Sequence, residues 1–184
     1  MADNKFLVVD LEASCWRGRP PKGQFQEIIE IGIAAINVRT REIEPPRSIL
    51  IKPAFSEISE FCTKLTTIDQ ELLDKDGVTW AEALHILETE VRAHKYGWGA
   101  WGHFDKRMFQ DNSELYETQY PMNRQFIDIK ELHAFKYGMN RGMGIKGATE
   151  KHEMEWEGIH HRAHWDAYNT AKVFNHMLPV EFLK

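Results

Sequence analysis

Cysteine is nearly absent from these 184 residues: Cys15 and Cys62 are the whole complement. They share no Cys-x-x-Cys spacing, so a disulfide scaffold and a thiolate zinc site both lack support. No apolar run approaches the ~20 residues that a membrane helix requires. The opening residues lead straight into Phe6-Leu7-Val8-Val9, which is too short for the apolar segment of a signal peptide and is closed by Asp10. The expectation is a soluble, cytoplasmic protein with no membrane attachment. Internal repeats and low-complexity segments are missing too, and 42% hydrophobic with 28% charged residues fits neither a disordered nor a collagen-like chain. Without a Gly-x-Ser-x-Gly, and with no identifiable base for either cysteine, serine and thiol hydrolases lose their footing. Positive charge is not in excess either. The 23 basic residues face 28 acidic ones, a formal −5, which at first argues against a phosphate-rich partner.

What is present suits one domain over residues 1–184, long enough for a sizeable core and without a linker. Residues 5–9 form a valine-rich run that fits a buried strand and ends at Asp10-Leu11-Glu12. The turn formers between Arg17 and Gly23 predict a loop. Residues 27–38 suit a central strand, and 43–51 can return beside it as a hairpin around Arg39-Thr40-Arg41. The period then changes. Ala83, Leu84, Leu87 and Val91 give a helical stripe over 79–94 with Thr79 as N-cap. The spacing predicts a short strand in 97–102 and helices over 105–115, 127–137, 146–152 and 162–178. Trp80 and Trp98 read as packing residues, and Glu30, Glu42 and Glu44 as solvated groups on a sheet edge. Strands first, then alternation with helices, predicts an α/β domain: a mixed sheet flanked by helices on both faces.

Three places carry acids in suggestive settings. Asp10 and Glu12 stand two residues apart at a strand end, so the pleat turns both side chains to one face. Either a hard divalent cation, Mg²⁺ or Mn²⁺, sits between them, or the strand end simply meets solvent. Asp105, where a strand gives way to a helix, is either a further ligand or an N-terminal acid satisfying orphan amides. His161 lies five residues before Asp166. At ~100° per residue the two cannot share a helical face, so His161 reaches Asp166 only from the loop leading into the helix, which Gly158 allows.

In this order and at these distances the motifs resemble those of the DEDDh 3′–5′ exonucleases of the ribonuclease H-like superfamily. They are Val8-Val9-Asp10-Leu11-Glu12-Ala13, Phe104-Asp105, and His161 with Asp166. Further segments are similar to the Eri-1-like branch, which includes the histone-mRNA 3′ exonuclease and KapD-type proteins: Ser14-Cys15-Trp16, Gln26-Glu27-Ile28-Ile29-Glu30-Ile31-Gly32, Phe61-Cys62 with Leu65-Thr66, and Asp128-Ile129-Lys130. The likeness runs from Lys5 to Met177. One departure is His164-Trp165-Asp166, where the family often has two consecutive acids; the acid five after the histidine is kept. Arg162, four residues before Asp166, is not the tyrosine of the sister group.

The resemblance implies a ribonuclease H-like fold and a two-ion site ligated by Asp10, Glu12, Asp105 and Asp166. Two divalent ions about 3.5–4 Å apart can serve both the attacking and the leaving oxygen of a phosphodiester. Glu12 and His161 are then the catalytic residues, with His161 as general base, a role its ordinary pKa of ~6.5 suits. His160 and His164 rival it on chemistry alone and otherwise read as solvent-facing or packing residues. Substrate contacts fall to the Ala13 backbone, Leu65, Thr66 and Phe104, whose ring offers a stacking wall. Basic residues gather at Arg17, Arg19 and Lys22, at Lys106 and Arg107, and at Lys130, Lys136, Arg141 and Lys146, either as phosphate-tracking groups or as ordinary solvated cations. The expected partner is the 3′ end of single-stranded RNA, or alternatively DNA, with no obligate protein partner. A non-catalytic RNA-binding module on the same fold is the reading from another class. Setting the four ligand acids aside takes the formal charge from −5 to −1, so the acidic balance does not argue against a nucleic-acid substrate.

Overall fold

The computed structural model describes residues 4–179. The first three residues, part of the opening stretch read above for a signal peptide, lie outside that range. Alternation in the first strand organises the rest. In β1 (Lys5–Ala13), Leu7, Val9 and Leu11 enter one apolar cluster and Val8 enters another on the opposite face. The first cluster is closed by Trp80, Ala83, Leu87, Met108 and Phe109, the second by Ile129, Ala167, Ala171 and Phe174. The sheet is thus covered on both sides, as the pattern implied.

The sheet has five strands in the order β3-β2-β1-β4-β5. β2 (Ile28–Asn37) runs antiparallel to β1, and β3 (Arg47–Leu50) antiparallel to β2. β4 (Trp98–Ala100) and β5 (Phe126–Asp128) add parallel pairings beyond β1. The hairpin return is split: Ile43 makes one isolated bridge to Ile36 and pairing resumes only at Arg47. Pro45 and Pro46 intervene, and neither has an amide hydrogen for the ladder.

Two short helices, α1 (Glu60–Thr66) and α2 (Gln70–Asp76), fall where no helix was anticipated. Each is started by a side-chain cap, Ser59 to the Cys62 amide and Asp69 to the Leu72 amide. The stripe over 79–94 becomes α3 (Trp80–Ile86) and one π-helical turn, Leu87–Val91, with Thr79 and Glu82 forming a reciprocal capping box. α4 is Phe104–Leu115. The helix expected over 127–137 begins as β5 and becomes α5 (Ile129–Lys136) only after Asp128, whose carboxylate caps it. α7 (Ala163–Met177) lies within the anticipated bounds, and α6 (Ile145–Lys151) is set one residue earlier than anticipated. Among the described residues no helix is long and apolar enough to cross a membrane.

Candidate active site

β1 delivers its two acids to the face covered by α7. Asp10 and Glu12 have the parity of Val8, which packs on α7, and α7 carries Asp166 in its first turn. One carboxylate oxygen from each of Asp10, Glu12 and Asp166 can be chosen so that all lie within 4.8 Å of one another. Asp105 comes from the first turn of α4 and is anchored beside them, its Oδ1 accepting the Leu11 amide at 2.9 Å. That amide is available because β4 pairs with β1 only at Leu7 and Val8.

These acids repel one another in a poorly hydrated setting, and their proton affinities record it. Burial, then the charges of Asp105, Asp166, Glu12 and Glu30, push Asp10 well above the usual carboxylate range. Burial with Asp166, Glu30 and Asp105 lifts Glu12 to about 9 despite Arg162 nearby. Asp105 rises to about 7 through burial, with Asp128 adding to it and the Leu11 amide opposing. Asp166 also rises to about 7, through burial and Glu30, against the His161 amide and His164. Its Oδ1 is buried without a hydrogen-bond partner. A buried carboxylate oxygen with no hydrogen-bond partner amid mutually repelling carboxylates fits a cation ligand, and an all-oxygen donor set suits a hard divalent ion. The residues fit the divalent-metal dependence of DEDDh exonucleases.

His161 sits in the loop before α7, as the five-residue spacing required. Its backbone is left-handed, φ 62°, and Gly158 three residues earlier has φ 74°. A Cβ at Gly158 would lie 2.1 Å from the Trp165 ring, so glycine lets the loop fold back on α7. The His161 amide donates to Asp166 Oδ2 at 3.3 Å. His160 is half-buried: its ring stacks on His161 at 3.9 Å between centroids, and its Nε2 lies 3.8 Å from Asp166 Oδ2. Burial lowers the proton affinity of both imidazoles.

The residue the sequence misled on is Glu30. Expected on a solvated edge, it is fully buried on β2, directly across from Glu12. It accepts Ser48 Oγ at 2.6 Å, Arg162 Nε at 3.0 Å, the Ala163 amide at 3.0 Å and His164 Nδ1 at 2.7 Å. A carboxylate acceptor fixes His164 as the Nδ1–H tautomer. Burial works against this charge, yet the hydrogen bonds from His164, Arg162 and Ser48 outweigh it and bring the carboxyl down to about 2. Arg162, the N-cap of α7, makes no side-chain cap of its own. Glu30 caps that helix from the sheet instead, and His164 serves Glu30 rather than solvent. The available signal was a lone acid inside the apolar run Ile28-Ile29-Glu30-Ile31, which needs a partner if the strand is central. Glu42 and Glu44 do lie exposed, as anticipated.

The other anticipated contacts divide. Phe104 is 42% exposed beside Asp105, and Leu65 is 37% exposed on α1. Ala13 is buried, with its carbonyl 3.6 Å from the Cys62 thiol, a contact that docks α1 on the end of β1. Thr66 is fully buried, its hydroxyl donating to the Cys62 carbonyl and accepting the Ile68 amide, so its side chain closes α1. Lys136 is likewise engaged, donating to the Met177 carbonyl at the end of α7. Trp80 and Trp98 are buried packing residues.

The sheet order, with paired acids at the end of β1 and a histidine before α7, is that of the ribonuclease H-like exonuclease fold. The chain belongs to the exonuclease family, whose RNase T profile matches residues 7–174 and so includes every acid and histidine of this site. The nuclease domain of 3′hExo, described as a DEDDh family member bound to rAMP, has a TM-score of 0.86 with this chain. It is 26% identical and covers 95% of this chain and 92% of its own. ERI1 exoribonuclease 2 of Xenopus laevis is 27% identical over 197 residues, covering 94% of this chain. KapD of Bacillus subtilis, a probable 3′–5′ exonuclease, is 23% identical over 175 residues, covering 95%. The chain spans 28% of the frog protein's length and 84% of KapD's.

Proposed function

We propose that this chain, acting as one exonuclease domain over residues 1–184, removes 5′-mononucleotides from the 3′ end of single-stranded RNA. The observation that carries the reading is the convergence of Asp10, Glu12 and Asp166 within 4.8 Å, with Asp105 anchored alongside. Asp10, Glu12, Asp105 and Asp166 would hold two divalent ions, Mg²⁺ or Mn²⁺, which when bound would supply activation of the nucleophile and neutralisation of charge on the phosphoryl and leaving oxygens, with Glu12 taking part in the chemistry as a ligand. His161 accepts the proton of the attacking water. Burial keeps its imidazole neutral, and therefore basic, at pH 7. Its left-handed backbone and the glycine at 158 aim it from the loop without drawing it into α7. The exposed ring of Phe104 supports a stacking role for the terminal base, worth about 1–3 kcal/mol, and Leu65 and the Ala13 backbone bound the same nucleotide.

RNA is favoured because the similarity to an exoribonuclease runs over 94% of the chain. The test is degradation of 5′-labelled single-stranded RNA and DNA with Mg²⁺, Mn²⁺ or EDTA. A ladder shortening from the 3′ end of RNA, abolished by EDTA and by Asp10→Ala, is expected. His161→Ala should lower kcat about 10²–10⁴-fold, the usual contribution of a general base. Full activity in EDTA or in Asp10→Ala would overturn the mechanism. Faster turnover of DNA would replace the substrate, and binding of RNA with no cleavage would replace the enzyme with a binding module.

A further inference from the structure

Three ligand-type side chains outside the catalytic cluster converge where the loop before α4 meets the start of α5. His103 precedes Phe104, Asp128 ends β5, and Glu131 lies in the first turn of α5. A ligand atom from each lies within 4.8 Å of the others. They line a cavity of about 560 Å³ together with Lys130 and Arg141.

His103 and Asp128 stand at ion-pair distance, but farther apart than a tight charge-assisted hydrogen bond. His103 Nε2 stands 3.3 Å from Asp128 Oδ2. A charge-assisted N–H···O bond closes to about 2.7–2.9 Å. Ligand atoms around a tetrahedral Zn²⁺, with bonds of about 2.0–2.2 Å, stand roughly 3.3–3.6 Å apart. His103 also does none of the capping work of its position: it is the N-cap of α4 and makes no capping hydrogen bond. Its ring packs on Phe126 instead, 5.5 Å between centroids. The Asp128 side chain is only 8% exposed and is fixed from behind, its Oδ1 accepting the Glu131 amide at 2.9 Å. Oδ2 is thereby turned to His103. Two carboxylates match the charge of one divalent ion, and the imidazole favours a borderline ion over Mg²⁺. The catalytic acids, with oxygen donors alone, favour the reverse. With His103 and Glu131 exposed and two cationic side chains in the same wall, the site is open and weaker than a closed four-ligand one.

We propose that His103, Asp128 and Glu131 bind one divalent transition-metal ion, Zn²⁺ by preference, separately from the catalytic cluster. The ion ties the loop that presents Phe104 and Asp105 to the start of α5.

The experiment uses the full chain carrying Asp10→Asn and Asp166→Asn, which dismantles both the carboxylate cluster and the His160, His161 and Asp166 grouping. Zn²⁺ is titrated against a chromophoric chelator in excess Mg²⁺, before and after adding His103→Ala and Glu131→Gln. Both added changes are at exposed positions, and Asp128 is left to cap α5. His133 and His152 are present in both proteins, so any ion they hold cancels. Loss of one Zn²⁺ equivalent, or at least a tenfold weaker one, is expected on adding the two changes. Co²⁺ substituted for Zn²⁺ should lose the matching visible absorption. Equal Zn²⁺ binding by the two proteins, or none by the parent, would overturn the proposal.

Discussion

Glu30 shows how much of this site is held by a residue that touches no substrate. Its carboxylate joins β3, the N-cap of α7, the first amide of α7 and the His164 ring. Removing one member of a buried charged network leaves the others unpaired, at a cost of about 3–5 kcal/mol. Glu30→Ala is therefore expected to lose about that much in urea unfolding, and to lower kcat by loosening the loop that holds His161 while changing KM little. Stability and kcat equal to those of the parent would remove Glu30 from this role. The folded carboxyl is depressed to about 2, so its contribution is present above its unfolded value near 4.5 and is lost as pH falls toward 2. That Asp10, Glu12, Asp105, Asp166 and His161 belong to recurring motifs was legible because motif spacing survives in one dimension. Glu30 was not, because its partners lie 18 and 132 to 134 positions away.

At the scale of elements, the site depends on how closely α7 lies on β2. A Cβ built at Gly32 would stand 2.0 Å from the Ala163 carbonyl carbon and 2.2 Å from the His164 amide nitrogen. These are backbone atoms that cannot swing aside, so the helix itself must move, and Asp166 moves with it. Gly32→Ala should cost at least the 1–3 kcal/mol typical of overpacking and abolish cleavage even where the protein remains folded. Gly147→Ala in α6 is the control, since its Cβ meets only Met143 side-chain atoms at 3.6 Å and beyond. There the loss of helix-interior glycine should stabilise by up to about 1 kcal/mol with activity intact. Circular dichroism melts and the 3′-end ladder assay check both. The long elements were readable because β2 is one β-branched apolar run and α7 repeats a helical period over many residues. β5, with three residues, and α1 and α2, with seven each, offer too few repeats, and their identity rests on caps and neighbours.

The whole molecule stores its repulsion at one end of β1, and that makes the metal-free protein sensitive to alkali. Carboxyls whose folded values lie above their unfolded ones favour the folded state at low pH and lose that contribution as pH rises through the folded value. Asp105 and Asp166 are placed at about 7 and Glu12 at about 9. The histidines with lowered values titrate below about 6.5 and oppose this trend only there. Asp105 and Asp166 exhaust their share by about pH 7, and Glu12 carries the decline on to about 9, so between pH 7 and 9 the melting temperature in EDTA should still fall. Saturating Mg²⁺ should flatten the decline, and Asp10→Asn should reduce it without metal. A flat profile in EDTA would show that the acids do not repel one another as described.

The amino-acid sequence by itself determined the alternating core, the long elements β1, β2 and α7, and the motif spacing that singles out the four clustered acids and His161, because these are periodic or local properties. Tertiary structure alone decided that Glu30 is a buried anchor, that Thr66 closes a helix, that His160 lies against His161, and that His103 meets Asp128 and Glu131. Each of those depends on which distant segments share a low-dielectric space, where an unpaired charge is costly and a well-placed partner reverses the outcome.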